Sequence, residues 1–321
     1  MFADLNITYR PGDKSDWKGR PTNPDLGAQY WCQAIQCEDI RGIGKDAFGF
    51  GIIGYACDEG VKRNLGRPGA KDGSRCLRAK LGGVPIHFEN KKVVDFGDVI
   101  CNGDDLESCQ VAFSKSIATL ISNNVFPIGI GGGHDMAFAH YRGLKNTFPD
   151  KRIGIINFDA HFDLRPVEHQ PNSGTPFYQI LQQYDNVDYF PIGIQKQSNT
   201  KELFEIAKKF NIDFMLHDEL HSKTGIKQLH KKLRSISDNN DYLYVTIDMD
   251  GFASAYAPGV SAPSPLGFTP QFVFETLKVL LKSKKVMSFD IAELNPQFDR
   301  DTQTALLASR LVDFMVVNHF S

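Results

Sequence analysis

Seven short apolar runs recur along this chain, at residues 50–56, 126–130, 152–158, 189–194, 213–216, 242–247 and 286–289, each rich in Ile, Val, Phe or Tyr. They are largely apolar at every position rather than at alternate ones. Strands of a parallel sheet look like this when helices cover both faces. The stretches between them have helical spacing. Residues 104–121 place Leu106, Phe113, Ile117, Leu120 and Ile121 on one face. Thr269-Pro270 supplies a cap and a first-turn proline ahead of Val273, Leu277, Leu280 and Leu281. A last helix buries Leu307, Leu311, Phe314 and Met315. The alternation predicts an α/β fold, a three-layer α/β/α sandwich with a mainly parallel central sheet. No repeat, low-complexity tract or linker interrupts it. Residues 1–321 are therefore expected to form a single domain, with about residues 1–45 an irregular N-terminal segment.

The totals exclude several classes of function. A net charge of −2 over 321 residues offers no basic field for a nucleic acid backbone or an anionic membrane surface. No apolar run approaches membrane-spanning length. The first residues, Met1-Phe2-Ala3-Asp4-Leu5-Asn6, lack the basic and apolar regions of a signal peptide. Six cysteines, at 32, 37, 57, 76, 101 and 109, form no CxxC pair and no zinc-like spacing. In a chain of this size they are expected to be reduced, mostly buried thiols of a cytoplasmic protein.

The residues just beyond the apolar runs are more specific. Residues 50–56 lead into Cys57-Asp58-Glu59-Gly60, and 126–130 into Gly131-Gly132-Gly133-His134-Asp135. Residues 152–158 lead into Asp159-Ala160-His161-Phe162-Asp163, 242–247 into Asp248-Met249-Asp250-Gly251, and 286–289 into Asp290-Ile291-Ala292-Glu293. Parallel strands share one carboxyl edge, where ligands bind, so these groups should converge. Asp159-x-His161-x-Asp163 taken alone is a weak signal. Together, His134, Asp159, His161, Asp163, Asp248 and Asp250 bring four carboxylates into one place, and these repel unless cations intervene. Six ligands exceed the usual needs of one catalytic zinc and suit two divalent ions. Oxygen-rich, sulfur-free ligation favours a hard ion such as Mn²⁺. Two ions roughly 3.5–4 Å apart can activate water at neutral pH, which points to metal-assisted hydrolysis at a planar carbon.

The blocks around His134, Asp159–Asp163 and Thr246-Ile247-Asp248-Met249-Asp250 resemble the signature blocks of the ureohydrolase superfamily, which holds arginases, agmatinases and formiminoglutamases. Ser288-Phe289-Asp290-Ile291-Ala292-Glu293-Leu294-Asn295-Pro296 is similar to a fourth block. The resemblance spans about residues 50–320 and implies an arginase-like fold with two Mn²⁺ ions per subunit. It implies that His134, Asp159, Asp163 and Asp248 hold one ion, and that Asp159, His161, Asp248 and Asp250 hold the other, with Asp159 and Asp248 bridging. It further implies that Asp163 passes a proton to the leaving amine and that Glu293 holds the cationic end of the substrate. A homo-oligomer is also expected.

Within the superfamily the chain is most similar to formiminoglutamases. Asp16-Trp17-Lys18-Gly19-Arg20, the run from Ala56 to Ala70, and Ser173-Gly174-Thr175-Pro176-Phe177 look like that branch. Arg165 stands where arginases place a neutral asparagine, and a guanidinium suits a carboxylate partner. Ser173 stands where arginases and agmatinases carry a histidine. Arg165, Ser173, Arg63 and Arg67 are thus the candidate substrate-binding residues. The expected reaction is hydrolysis of N-formimino-L-glutamate to L-glutamate and formamide, a step of histidine degradation. The competing readings are a hydrolase of another guanidino compound, of arginase, agmatinase or guanidinobutyrase type, releasing urea, and a non-catalytic binding or regulatory member of the fold.

Overall fold

Each apolar run pairs with its neighbours in parallel, and together they build one sheet. In the computed structural model, residues 1–44 and 49–319 are described. The strands are β1 (Ile7–Arg10), β2 (Gln36–Cys37), β3 (Gly49–Ala56), β4 (Val93–Cys101), β5 (Val125–Ile130), β6 (Ile153–Phe158), β7 (Tyr189–Ile194), β8 (Met215–Leu216), β9 (Tyr242–Asp248) and β10 (Val286–Ala292). The helices are α1 (Trp31–Ala34), α2 (Glu59–Arg63), α3 (Gly73–Leu81), α4 (Leu106–Ser122), α5 (Met136–Thr147), α6 (Pro176–Gln183), α7 (Lys201–Lys209), α8 (Lys223–Asn239), α9 (Pro270–Leu281) and α10 (Gln303–Asn318). The sheet runs β1-β4-β3-β5-β10-β9-β6-β7-β8, with β2 beside β4. Among the described residues only β1 is antiparallel to its neighbour.

Strand alternation divides the core into two apolar layers. Ile128, Ile156, Val245 and Phe289 pack with helices α3, α8, α9 and α10 on one face. Ile53, Ile155 and Tyr244 pack with α4, α5, α6 and α7 on the other. This is the three-layer sandwich. Capping sets several helix starts. Thr269 Oγ1 accepts from the amide of Phe272 at 3.2 Å, and the Asp105 side chain caps α4 through the Ser108 amide at 3.0 Å.

Four differences from the expected elements have physical causes. Strand β4 has no counterpart among the seven runs, because Asp95, Gly97 and Asp98 break its apolar pattern. Strand β10 extends to Ala292, so Asp290 lies inside the sheet rather than at its edge. Residues 213–216 supply only the two-residue strand β8. The N-terminal segment is mostly loop and short turn, yet Ile7–Arg10 pairs with β4 and joins the sheet; residue 45 lies outside the described residues. No described helix is long and apolar enough to cross a membrane.

The acidic residues of β4 are held by Arg78 of α3, which is fully buried. Its Nε and Nη2 donate to both oxygens of Asp95 at 2.9 and 2.8 Å, and Nη1 donates to Asp98 Oδ1 at 2.6 Å. Trp17 Nε1 also donates to Asp95 Oδ2, at 2.9 Å, and Arg10 pairs with Asp98 and Asp16. The N-terminal segment is thereby tied to the sheet. Removing one partner from a buried ionic network strands the others without compensation. Arg78→Leu should therefore lower unfolding stability by about 3–5 kcal/mol in a denaturant titration. A loss under about 1 kcal/mol would show that Asp95 and Asp98 do not depend on it.

Candidate metal centre and active site

The topology puts β5, β10, β9 and β6 side by side, and all four end at the same edge. The residues beyond them therefore meet without any long excursion of the chain. At the end of β5, Gly131 and Gly132 take positive φ (+85° and +76°) and turn the chain so that His134 points back over the sheet. A Cβ on Gly132 would lie 2.5 Å from the Tyr55 carbonyl oxygen. His134 Nδ1 then faces three carboxylates, with Asp163 Oδ2 at 3.0 Å, Asp159 Oδ2 at 3.1 Å and Asp248 Oδ2 at 3.2 Å. His161 Nδ1 lies 3.1 Å from Asp250 Oδ2 and 3.5 Å from Asp159 Oδ1. All six expected residues are brought together. They form one group of His134, Asp159, Asp163 and Asp248 and a second of Asp159, His161 and Asp250. Asp159 belongs to both. Asp248, expected to bridge as well, lies in the first group; its Oδ1 accepts the Asp250 amide at 2.7 Å, just as Asp159 Oδ1 accepts the His161 amide at 2.7 Å. Asp163 and Glu293 both adopt left-handed backbone (φ +47° and +64°), a strained state for such residues that concentrates at functional sites.

A cavity of about 330 Å³ opens over these groups. Its walls include His161, Asp163, Asp248, Asp250 and Glu293 on one side, and Asn64, Arg67, Arg165, Ser173 and Ser261 around them. Glu293 is buried. Its Oε1 accepts the His134 amide at 3.0 Å, while Oε2 has no hydrogen-bond partner in the protein. Arg165 is exposed at the cavity, and its guanidinium forms no ion pair with any described residue. Its stem lies against Gly174, where a Cβ would come within 2.9 Å of Arg165 Cδ. Ser173 is buried, and its Oγ accepts from Asn64 Nδ2 at 3.1 Å.

Two expected substrate-binding residues are placed differently. Arg63 does not line this cavity. It pairs with Glu107 at 2.7 Å and Glu59 at 3.3 Å and donates to the Asp104 and Pro171 carbonyls, so its guanidinium is consumed by the loop that it braces. Arg67 does line the cavity. However, Nε and Nη2 donate to the carbonyls of Ser261 and Val260 at 2.8 and 2.6 Å, and the guanidinium stacks on Phe298 at 3.9 Å. It clamps the 256–263 loop against the rim.

The Arginase family pattern matches residues 48–317. This chain belongs to the arginase family. It is 39% identical to formimidoylglutamase of Lysinibacillus sphaericus over 310 residues, which covers 95% of this chain and 96% of that one. It is 41% identical to formimidoylglutamase of Legionella pneumophila over 320 residues, covering 97% and 98%. Its fold matches the crystal structure of formimidoylglutamase from Bacillus subtilis with a TM-score of 0.83 at 21% identity, covering 93% and 94% of the two chains. It also matches that of Trypanosoma cruzi formiminoglutamase with Mn²⁺, with a TM-score of 0.77 at 25% identity, covering 87% and 96%.

The donor set of this arginase-family chain fits divalent cations. Asp250 Oδ1 is buried with no hydrogen-bond partner, as is Glu293 Oε2. Such orphans are rare unless something binds them. Titration carries the same message. Burial and the Asp159 charge push Asp163 up to about 6. Burial and the Asp250 charge push Glu293 up to about 8. Burial alone would lower His134 and His161, yet the surrounding carboxylates raise both well above the usual histidine value. His134, Asp159, His161, Asp163, Asp248 and Asp250 are the residues that would hold the ions.

Several positioning residues carry no motif of their own. His134 Nε2 meets Thr246 Oγ1 at 3.1 Å, and Asn157 Nδ2 donates to Asp159 Oδ2 at 3.1 Å. Tyr189 OH lies 3.1 Å from the same Asn157 amide and donates to the Phe162 carbonyl. A signal did exist for two of them. Asn157 and Thr246 stand two residues before Asp159 and Asp248 on otherwise apolar strands, which puts them on the same sheet face.

Because Mn²⁺ must displace protons from the raised histidines and from Asp163, its binding should release protons and tighten as pH rises through about 6 and above. Each proton released steepens the affinity by about tenfold per pH unit. Calorimetry in buffers of different ionisation enthalpy measures this release. Identical heats in all buffers, with a Kd independent of pH, would contradict it.

Proposed function

We propose that this chain is a hydrolase with two Mn²⁺ ions per subunit that converts N-formimino-L-glutamate and water to L-glutamate and formamide. The formimidoylglutamases 39% and 41% identical over nearly the whole chain support the reaction class. Arg165 is the observation in this site that carries the substrate choice. Its guanidinium, without an ion-pair partner among the described residues, lines the same cavity as the carboxylate cluster and suits a substrate with an amidine at one end and carboxylates at the other. A cationic guanidine with no carboxylate would gain nothing from it.

When bound, the metal ions would supply Lewis acidity and a water activated at neutral pH. The protein's own groups do the rest. Glu293 Oε2, buried and without a partner, accepts an N–H of the amidine and sets its plane. Asp163 is the most accessible of the four carboxylates, its side chain 13% exposed against 0%, 3% and 7% for Asp159, Asp248 and Asp250. It is therefore the one placed to take a proton from the attacking water and pass it to the departing glutamate nitrogen. The new C–O bond forms at the amidine carbon, and the bond from that carbon to the glutamate nitrogen breaks. Ser173, held by Asn64, lines the same cavity and offers a neutral hydroxyl where a histidine stands in other branches. Free thiols at all six cysteines support a reducing compartment, and we place the protein in the cytoplasm.

Purified Mn²⁺-loaded protein should release formamide and glutamate from N-formimino-L-glutamate. Urea from arginine, agmatine or guanidinobutyrate with no formamide would replace this reading by a guanidino hydrolase. Absence of bound metal together with no Mn²⁺-dependent rise in Tm would favour a binding module. Arg165→Ala should raise KM and lower kcat/KM by about tenfold to a hundredfold, the worth of one charged hydrogen-bonding partner, with Mn²⁺ content unchanged. An unchanged KM would assign Arg165 a structural role.

A further inference from the structure

Three cysteines from three separate elements meet behind the loop that carries His134. Cys57 comes directly after β3, Cys101 closes β4, and Cys109 lies in the first part of α4. Their sulfur atoms all lie within 4.8 Å of one another, and none is in a disulfide. Cys57 and Cys109 are buried, and Cys101 is half-buried, so the trio is closed on one side and reachable on the other. The other cysteines, at 32, 37 and 76, take no part in the group.

We propose that Cys57, Cys101 and Cys109 form a binding site for one thiophilic ion of the Zn²⁺, Cd²⁺ or Cu⁺ class, separate from the carboxylate centre. Thiolates select soft ions, whereas the carboxylate-rich edge selects hard ones, so the two sites discriminate by donor type. Zn–S bonds of about 2.3 Å set tetrahedral sulfurs about 3.8 Å apart, within a small side-chain adjustment of the spacing here. Binding displaces the protons that the thiols still carry. The surroundings favour that displacement at Cys101, while the hydrogen bond with Cys101 pushes Cys57 up and burial pushes Cys109 up. Hydrogen bonds from Cys109 and Cys57 hold the Cys101 thiol well below its usual range. Arg63, fixed on the Asp104 carbonyl and Glu107 in the turn between Cys101 and Cys109, adds positive charge beside it. The Cys57 carbonyl accepts the Gly133 amide at 3.0 Å, so the trio is one hydrogen bond from the metal loop.

The test titrates reduced, Mn²⁺-loaded full-length protein with Cd²⁺. The ultraviolet thiolate-to-cadmium band is followed, and both metals are counted after desalting. We expect one Cd²⁺ per chain with Mn²⁺ retained, and a loss of about tenfold or more in Cd²⁺ affinity in Cys101→Ser. Cys76→Ser should behave as the parent. Cys101 is half-buried, so its replacement should leave the fold intact; Cys101→Ala serves if serine proves destabilising, and retained Mn²⁺ binding confirms folding. The proposal is overturned if the band is absent, if it persists undiminished in the folded Cys101 variant, or if Cd²⁺ enters only by displacing Mn²⁺.

Discussion

Four carboxylates and two imidazoles occupy one edge of the sheet, with ring nitrogens 3.0–3.5 Å from carboxylate oxygens. Such a cluster is unfavourable by itself, since its like charges repel and burial removes the water that would screen them. Protons can relieve it partly, and the surrounding carboxylates raise His134 and His161 accordingly, while burial and the Asp159 charge raise Asp163. Divalent cations would relieve it better and would also give the orphaned Asp250 Oδ1 a partner. The strand order β5-β10-β9-β6 exists in service of this constraint: it makes the cluster contiguous.

Much of the adjoining structure holds the cluster in place. Thr246 and Asn157 orient a histidine and a carboxylate from positions further back on their strands. Deeper in the sheet, Asp290 accepts from Tyr244 OH at 2.5 Å and contacts His140 Nδ1 at 2.6 Å. This polar knot ties β10, β9 and α5 together beneath the metal groups. The 60s loop contributes differently. Arg63 and Arg67 spend their guanidinium groups on Glu107, Glu59 and the carbonyls of Val260 and Ser261, which shapes the cavity walls. Arg165 is left as the guanidinium facing the cavity without a protein partner among the described residues.

How legible this was depended on whether a residue's partner lies close in sequence or across the fold. The clustering of the six strand-end groups was readable because parallel strands converge by topology, so position after an apolar run was enough. The covered strands β3, β5, β6, β7 and β9 were readable for the same reason. Strand β4 was not, because Asp95 and Asp98 look polar until Arg78 of another element neutralises them. Arg63 looked available for a substrate because its partner Glu107 is 44 positions away. The Cys57, Cys101 and Cys109 trio had no spacing to betray it, since each cysteine comes from a different element.

The central proposal is that the strand-end cluster holds two hard cations. Crystals grown with Mn²⁺ and measured at the manganese absorption edge test this most directly. Two anomalous peaks per chain are predicted, one among His134, Asp159, Asp163 and Asp248 and the other among Asp159, His161 and Asp250. A single peak, or none at these residues, would contradict it.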